Sequence, residues 1–341
     1  MKKIISVLSI VLSLCLLAGC MGTPVVYRCD CDNENDGTVV LTPGSLKTGL
    51  AVISNAGESK NASEADGEVK YDVTIAAVLV DDSGVIHACI IDSIGTSVKF
   101  SAAGAITSDL SAQVLTKNEL GENYGMKAWG NAKYEWNEQA AALAKYAVGK
   151  TVSELKNGAV GEDGKAVDAD LASSATISLG GYVAAIEKAV NTAKHLGAQS
   201  GDTLKLASIS SIASSKNGTA QLDTDVTAIT MQGETITSCY IDSLQAKVSF
   251  DASGIITTDL TAAFSTKNEL GENYGMKAWG NAKYEWNEQA ASFAAYVTGK
   301  TASQVAGIAV TEKTVPTDAD LSATVTIAIG GFQALIAKAA K

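Results

Sequence analysis

The stretch TKNELGENYGMKAWGNAKYEWNEQAA occurs twice in this chain, from Thr116 to Ala141 and again, letter for letter, from Thr266 to Ala291. The offset of 150 residues extends well beyond the identical block, since Phe100 matches Phe250 at the same spacing. A repeat of this length is too long for a solenoid unit and has about the size of one domain. We therefore interpret the chain as two copies of one domain behind a different N-terminal segment. The copies are called repeat 1 (45–196) and repeat 2 (202–341).

Charge and histidine content argue against several classes of function. The chain has 341 residues and a formal net charge of −11, and no basic stripe offsets this charge. Such a chain is not expected to bind nucleic acid. The two histidines, His87 and His195, have no counterparts in the other repeat, so we expect neither a metal site nor a catalytic triad.

The N-terminus predicts export and a lipid anchor. Lys2-Lys3 precede the apolar run Ile4–Leu17, which is too short for a membrane span but typical of a secretory signal peptide. The ending Leu17-Ala18-Gly19-Cys20 resembles a bacterial lipobox, which implies cleavage before Cys20 and its diacylation. Two acyl chains give stable anchoring. We expect residues 1–19 to be the signal peptide and residues 20–44 a lipidated tether. The mature protein would then be held on the outside of the bacterial cell membrane.

Apolar and β-branched runs predict that each repeat opens with an antiparallel sheet. In repeat 1 two such runs flank Asp81–Gly84, whose composition is typical of a hairpin turn. Helical spacing follows the sheet, so the predicted fold class is α+β, with a few helices packed on each sheet. Cys89 and Cys239 are expected to be buried structural thiols. The predicted strands are Gly49–Ser54, Val69–Val80, Val85–Ile91 and a further pair within Ser97–Thr107 in repeat 1, and Lys205–Ile212, Asp225–Met231 and Thr235–Ile241 in repeat 2.

The identical block predicts a shaped loop followed by a helix. Gly121, Gly125 and Gly130 interrupt any continuous helix, and we expect a helix to begin near Asn131 as its N-cap. Helical spacing places one buried face on it, and glycine ends it. The face is Trp136, Ala140, Leu143 and Ala147, with Trp286, Ala290, Phe293 and Val297 in repeat 2; the stops are Gly149 and Gly299, and the capping boxes that follow are Thr151/Glu154 and Thr301/Gln304.

The closing segment of repeat 1 carries the motif on which a family resemblance depends. Asp170–Thr176 reads DLASSAT, and Ala185–Val190 reads AIEKAV. The segment resembles the FMN-binding domain family, which includes the C subunit of the sodium-pumping NADH:quinone oxidoreductase and tandem surface lipoproteins of anaerobic bacteria. The family's motif runs Asp, any two residues, Ser or Thr, Gly, Ala, then Thr or Ser. Its last hydroxyl carries FMN through a phosphoester.

The resemblance implies FMN as the cofactor and Thr176 and Thr326 as its attachment points. This chain departs from the pattern at the family's glycine, which is Ser174, and repeat 2 (DLSATVT) keeps only the aspartate and the last threonine. Independently, a hydroxyl ahead of a helix N-terminus suits a phosphate. The alternative is that Thr176 is a strand residue and that the glycines only turn the chain. The implied binding residues are Asp170, Ser173, Ser174, Gly180 and Gly181, and Asp320, Gly330 and Gly331 in repeat 2.

Aromatic residues of the identical block form a second set of candidates. Tyr124 and Trp129, with Tyr274 and Trp279 in repeat 2, have the flat rings that stack on an isoalloxazine. The alternative is that Trp129 plugs the loop against the sheet. The identity of the two blocks is also compatible with recent exchange between the repeats, without any function.

Two functions from different classes follow. The first is a membrane-anchored lipoprotein that holds flavin for electron transfer outside the cell, with redox partner proteins. The second is a surface lipoprotein that kept the fold, lost covalent flavin, and binds another small molecule or partner. Both favour an electron carrier or a binding protein over a turnover enzyme.

Overall fold

The computed structural model describes residues 25–26, 40–41 and 45–341. The predictions for the signal peptide, Cys20 and most of the tether lie outside the described residues. In one unit, Met1–Gly44, strand β1 (Val25–Val26) pairs antiparallel with β2 (Val40–Leu41). The other unit, Ser45–Lys341, contains both repeats. The domain boundaries at 45–196 and 202–341 therefore stay a prediction.

Each repeat contains one three-stranded antiparallel sheet, as the α+β interpretation expects. The strands follow one another in space as in sequence, so both sheets are simple meanders. The strands are β3 (Lys47–Asn55), β4 (Gly67–Val80) and β5 (Ile86–Phe100) in repeat 1, and β6 (Thr203–Ser211), β7 (Thr219–Gln232) and β8 (Thr235–Ser249) in repeat 2.

One predicted strand pair is wrong. Ser97–Phe100 is the end of the long strand β5 rather than a new strand, and only an isolated bridge joins Phe100 to Ile106. The reason is length: β4 has 14 residues, and β5 must extend to Phe100 to pair with its start at Gly67.

The two sheets face each other across a shared core. In β4, Tyr71, Val73 and Ile75 point into a cluster that also contains Leu222 and Val226 of repeat 2. The Phe100 and Phe250 rings, equivalent in sequence, stack there with centroids 3.9 Å apart. Alternate residues of a strand face opposite sides of the sheet, so the other faces remain for helices.

Helices cover the outer face of each sheet, where each repeat has its own apolar cluster. The closing helix α6 (Gly180–Asn191) packs on β3 and β4, and α3 (Trp136–Ala147) packs on β5; α12 (Gly330–Ala339) and α9 (Trp286–Val297) do the same in repeat 2. The helices are α1 (Lys117–Leu120), α2 (Met126–Gly130), α3 (Trp136–Ala147), α4 (Val152–Ala159), α5 (Ala169–Ser174) and α6 (Gly180–Asn191), then α7 (Lys267–Leu270), α8 (Met276–Gly280), α9 (Trp286–Val297), α10 (Ala302–Ala306), α11 (Ala319–Ser322) and α12 (Gly330–Ala339).

The identical block is more helical than its glycines predict. It folds as α1, a single 3₁₀ turn (Gly121–Tyr124) and α2, and its glycines provide the positive φ angles at Gly121 and Gly125 that separate these turns. The predicted N-cap is wrong, because Asn131 has a φ of 50° and ends α2. The buried face of α3, the left-handed stop at Gly149 and the capping box at Thr151 are confirmed.

Candidate functional site

A buried glutamine holds the predicted attachment residue in each repeat. The Gln139 Oε1 atom accepts the Thr176 N–H at 2.7 Å, the Ile177 N–H at 3.1 Å and the Thr176 hydroxyl at 3.2 Å. In repeat 2 the Gln289 Oε1 atom accepts the same three groups around Thr326 at 2.8, 3.1 and 3.1 Å. The identical block therefore lies directly beside the motif threonine in both repeats.

The glutamine is itself fixed from the other side. Gln139 is fully buried, and its Nε2 donates to the Tyr134 carbonyl at 3.0 Å and approaches Met126 Sδ at 3.9 Å. The buried Glu135 carboxylate accepts the backbone N–H groups of Met126 and Lys127 at 2.8 and 3.0 Å. With both ends of its amide engaged, Gln139 has one orientation, which sets the position of Thr176.

Thr176 lies in an irregular segment between α5 and α6, so the alternative that it is a strand residue is wrong. Its side chain is exposed, and Gln139 is its only hydrogen-bond partner within 45–341. The hydroxyl is therefore reachable from solvent while its backbone is held. Within 45–341, neither an imidazole nor a carboxylate is hydrogen-bonded to it as a potential base.

The other motif residues form the short helix α5. Asp168, not Asp170, is its N-cap, and its carboxylate accepts the Leu171 N–H at 2.9 Å. The Ser173 and Ser174 hydroxyls both donate to the Asp170 carbonyl. Ser174 has a negative φ, so this backbone does not need the glycine that the family motif has at that position.

The predicted glycine pair opens the closing helix. Leu179 is the N-cap residue of α6 and provides no side-chain hydrogen bond, while Gly180 and Gly181 form the first turn. A Cβ atom at either glycine would meet no other group within 4 Å. The start of α6 is therefore open to solvent and lies four residues after Thr176.

A lysine approaches the same segment in repeat 1. The Lys165 Nζ donates to the Thr176 carbonyl at 2.9 Å. The loop that contains Lys165 is held in place by the Gly164 carbonyl, which accepts the Leu179 N–H at 2.7 Å. Gly164 has a φ of +76°, and a Cβ there would lie 2.8 Å from the Ser178 Oγ. This contact holds a positive charge at the backbone carbonyl of Thr176.

The candidate aromatic residues lie at the surface. Trp129 and Trp279 are each 89% exposed, so the alternative that Trp129 plugs the loop against the sheet is wrong; its ring edge contacts Gly125 instead. Tyr124 is 38% exposed and lies under the Lys117 ammonium, with Tyr274 in the same arrangement. The structure links these rings to Thr176 indirectly, through α2, Met126 and Gln139.

Within the described residues, no cluster of three or more His, Cys, Asp or Glu side chains could hold a metal ion. Burial raises the pKa of both Cys89 and Cys239 to about 12, which makes these thiols poor nucleophiles. No helix in the described part of the chain is both long enough and apolar enough to cross a membrane.

Sequence reasoning missed Gln139 and Lys165. A signal for Gln139 was present, since it lies three residues after Trp136 and four before Leu143 on the buried face of a helix. A polar residue on such a face is expected to have hydrogen-bond partners. No protein-family model matches the chain, and no curated protein or solved structure shows significant similarity to it.

Proposed function

We propose that this protein is a membrane-anchored lipoprotein that carries FMN outside the cell for electron transfer, attached through the Thr176 hydroxyl. The observation that supports this most is the arrangement at Thr176. The Thr176 side chain is exposed, Gln139 holds its backbone, and the Lys165 ammonium is bound to its carbonyl. The resemblance to the FMN-binding domain family gives the same residue the same role.

The residues around Thr176 fit a phosphoester of FMN. A phosphodiester carries a negative charge, which the Lys165 ammonium at the Thr176 carbonyl would help to offset. The open start of α6 offers N–H groups and the positive end of a helix dipole. When bound, FMN would supply one- and two-electron chemistry, while the protein would orient it and set its electrostatics.

Attachment changes only one hydrogen bond of the site. The Thr176 oxygen bonds to phosphorus of a flavin dinucleotide donor, the hydroxyl proton leaves, and a nucleoside monophosphate is the leaving group. Since no base within 45–341 is hydrogen-bonded to the hydroxyl, we expect the flavin transferase to accept that proton. Gln139 then loses the O–H donor but keeps the Thr176 and Ile177 N–H groups, so the segment stays in place.

Expression of the mature chain with a flavin transferase tests the proposal. We expect a yellow protein with flavin absorbance and an intact mass increased by covalent FMN. A double variant, Thr176→Ala with Thr326→Ala, should be colourless at unchanged thermal stability. A colourless wild-type protein of unmodified mass, produced beside a flavinylated positive control, would refute covalent attachment.

A cavity supports a second candidate function, the binding of a different small molecule. It measures about 520 Å³, within the range of small-molecule sites, and lies between α9, β8 and the end of repeat 1 at Lys194–Leu196. Its lining includes Cys239, Asn287, Ala291 and Ala294. The Asn287 Oδ1 is buried without a partner, and Asn137 Oδ1 repeats this in repeat 1.

Thermal shift separates the two candidates. If the cavity binds a non-flavin compound, a metabolite library should raise the melting temperature of the wild-type protein and not that of Asn287→Leu. Stabilisation by FMN alone, unchanged in Asn287→Leu and lost in Thr176→Ala, would instead support the first candidate.

A further inference from the structure

We infer that repeat 1 alone carries the flavin, and that Lys165 and the exchange of Gly164 for Thr314 decide this. The inference rests on the proposed function and adds which of two similar sites is used.

The hydrogen bonds that hold the motif threonine do not distinguish the repeats. Gln139 and Gln289 make the same three hydrogen bonds with closely similar lengths, and Thr176 and Thr326 are both exposed. Any difference between the sites must therefore come from what surrounds the hydroxyl.

The loops before the two motifs form equivalent hydrogen bonds, so the residues of one loop can be compared with those of the other one by one. A bridge joins Val160 to Ala166 in repeat 1 and Val310 to Pro316 in repeat 2. Within these loops, Gly164 corresponds to Thr314. The carbonyl of each accepts the N–H of the residue before the closing helix, at 2.7 and 2.8 Å.

The charge held at the carbonyl of the motif threonine differs. Lys165 donates to the Thr176 carbonyl, and the equivalent residue in repeat 2 is Val315, which cannot. Repeat 2 has a lysine two positions earlier, Lys313, where repeat 1 has Asp163. Lys313 is exposed and forms no hydrogen bond or ion pair with any residue in 45–341, so its charge is not held at Thr326.

The space at the start of the closing helix differs as well. A Cβ at Gly180 would meet nothing within 4 Å, whereas a Cβ at Gly330 would lie 2.9 Å from the Thr314 methyl group. Thr314 thus places its side chain where repeat 1 is open, at a φ of 57° that glycine adopts more readily. A phosphate that reached the start of α12 would meet this side chain, and no lysine is held at the Thr326 carbonyl by a hydrogen bond.

The chemistry of the step explains why both features matter. The threonine oxygen forms a bond to phosphorus while a nucleoside monophosphate leaves the flavin dinucleotide donor, and the product keeps one negative phosphate charge. A positioned ammonium stabilises negative charge on a transferring phosphoryl group. Repeat 1 has that ammonium and an open approach, and repeat 2 has neither.

Flavinylation of the full mature chain, followed by proteolysis and peptide mass mapping, tests the inference. We expect one FMN per chain, on Thr176. Thr326→Ala should leave the yield unchanged, and Thr176→Ala should abolish it. Lys165→Gln should slow modification at least several-fold, while Lys165→Arg should largely restore it.

A grafted variant keeps the test independent of folding defects in repeat 1. The double substitution Thr314→Gly with Val315→Lys should make Thr326 a substrate, detected as a second flavin per chain. Equal modification of both threonines in the wild type, or of Thr326 alone, would overturn the inference while leaving the proposed function intact. Absence of flavin from both threonines would overturn the proposed function, and the inference with it.

Discussion

Gln139 and Thr176, 37 residues apart in the chain, are joined by two hydrogen bonds to a single buried amide oxygen. The first residue belongs to the block that is identical in both repeats, and the second to a motif that is not. The element that is identical in the two repeats therefore holds the segment in place, and the element that differs between the repeats carries the exposed hydroxyl. Gln289 and Thr326 repeat this relationship.

Removing the amide should destabilise the protein without exposing its core. We expect Gln139→Leu to lower the free energy of unfolding by about 1–3 kcal/mol, because the backbone N–H groups of Thr176 and Ile177 lose their acceptor. Urea denaturation measures this. The control is Gln113→Leu at an exposed position, for which we expect a change below about 0.5 kcal/mol. Equal effects of the two substitutions would show that the amide does not hold the segment.

A buried aspartate should make stability depend on pH. Burial raises the pKa of Asp242 to about 6, from an ordinary value near 4 in the unfolded chain. The folded state then binds the proton more tightly, so its extra stability is fully present below about pH 4 and is lost as the pH rises to about 6. Asp242→Asn should remove this decrease, of order 2 kcal/mol, in urea denaturation between pH 4 and 7.

The exposed carboxylate Glu64 provides the control for Asp242. Glu64→Gln should leave the pH dependence as in the wild type. A wild-type stability that instead rises steadily from pH 4 to 6, with no difference in Asp242→Asn, would contradict the assignment to Asp242.

The strands and α3 could be predicted because their signals are local. The steps from Trp136 to Ala140 and Leu143 define one face of a helix, and that face is buried. The prediction that α3 begins after Asn131 is wrong because asparagine is favoured in two roles. It is a common helix N-cap, and it is also a common left-handed residue at the end of a helix. The N-cap residue of α3 is Glu135, and the Glu138 carboxylate accepts its backbone N–H. Nothing in the local pattern distinguished these roles.

Local sequence patterns could not predict the core shared by the two sheets or the contact between Lys165 and Thr176. The continuous apolar run at the end of β4 shows that both faces of the strand are covered, and it does not say by what. The cover is the other sheet on one side and α6 on the other. Lys165 reaches the Thr176 carbonyl from a different loop, 11 residues earlier, and this contact depends on the three-dimensional arrangement of the two loops.

Two reciprocal ion pairs should couple the repeats. Lys188 of α6 pairs with Glu269 of repeat 2 at 2.6 Å, and Lys338 of α12 pairs with Glu119 of repeat 1 at 2.6 Å. Both lysines also donate to a strand carbonyl. A double-mutant cycle with Lys188→Met and Glu269→Gln should give a coupling energy of about 0.5–1 kcal/mol, reduced because the pair is partly exposed. The same cycle on the exposed pair Lys127 and Glu138 is the comparison. A zero coupling energy for Lys188 and Glu269 would show that the pair does not contribute.

Truncation of the buried and of the exposed tryptophan in the identical block should have very different effects on stability. Trp136→Ala should lower the free energy of unfolding by about 3–5 kcal/mol, because the ring is 2% exposed and its Nε1 donates to the Tyr182 hydroxyl at 2.9 Å. Trp129→Ala should change it by less than about 0.5 kcal/mol, since 89% of that residue faces solvent. If Trp129 stacks on the attached flavin, its substitution should raise the flavin fluorescence of the loaded protein while stability stays unchanged. Unchanged fluorescence in Trp129→Ala would place the flavin elsewhere and leave the tryptophan without a role in binding it.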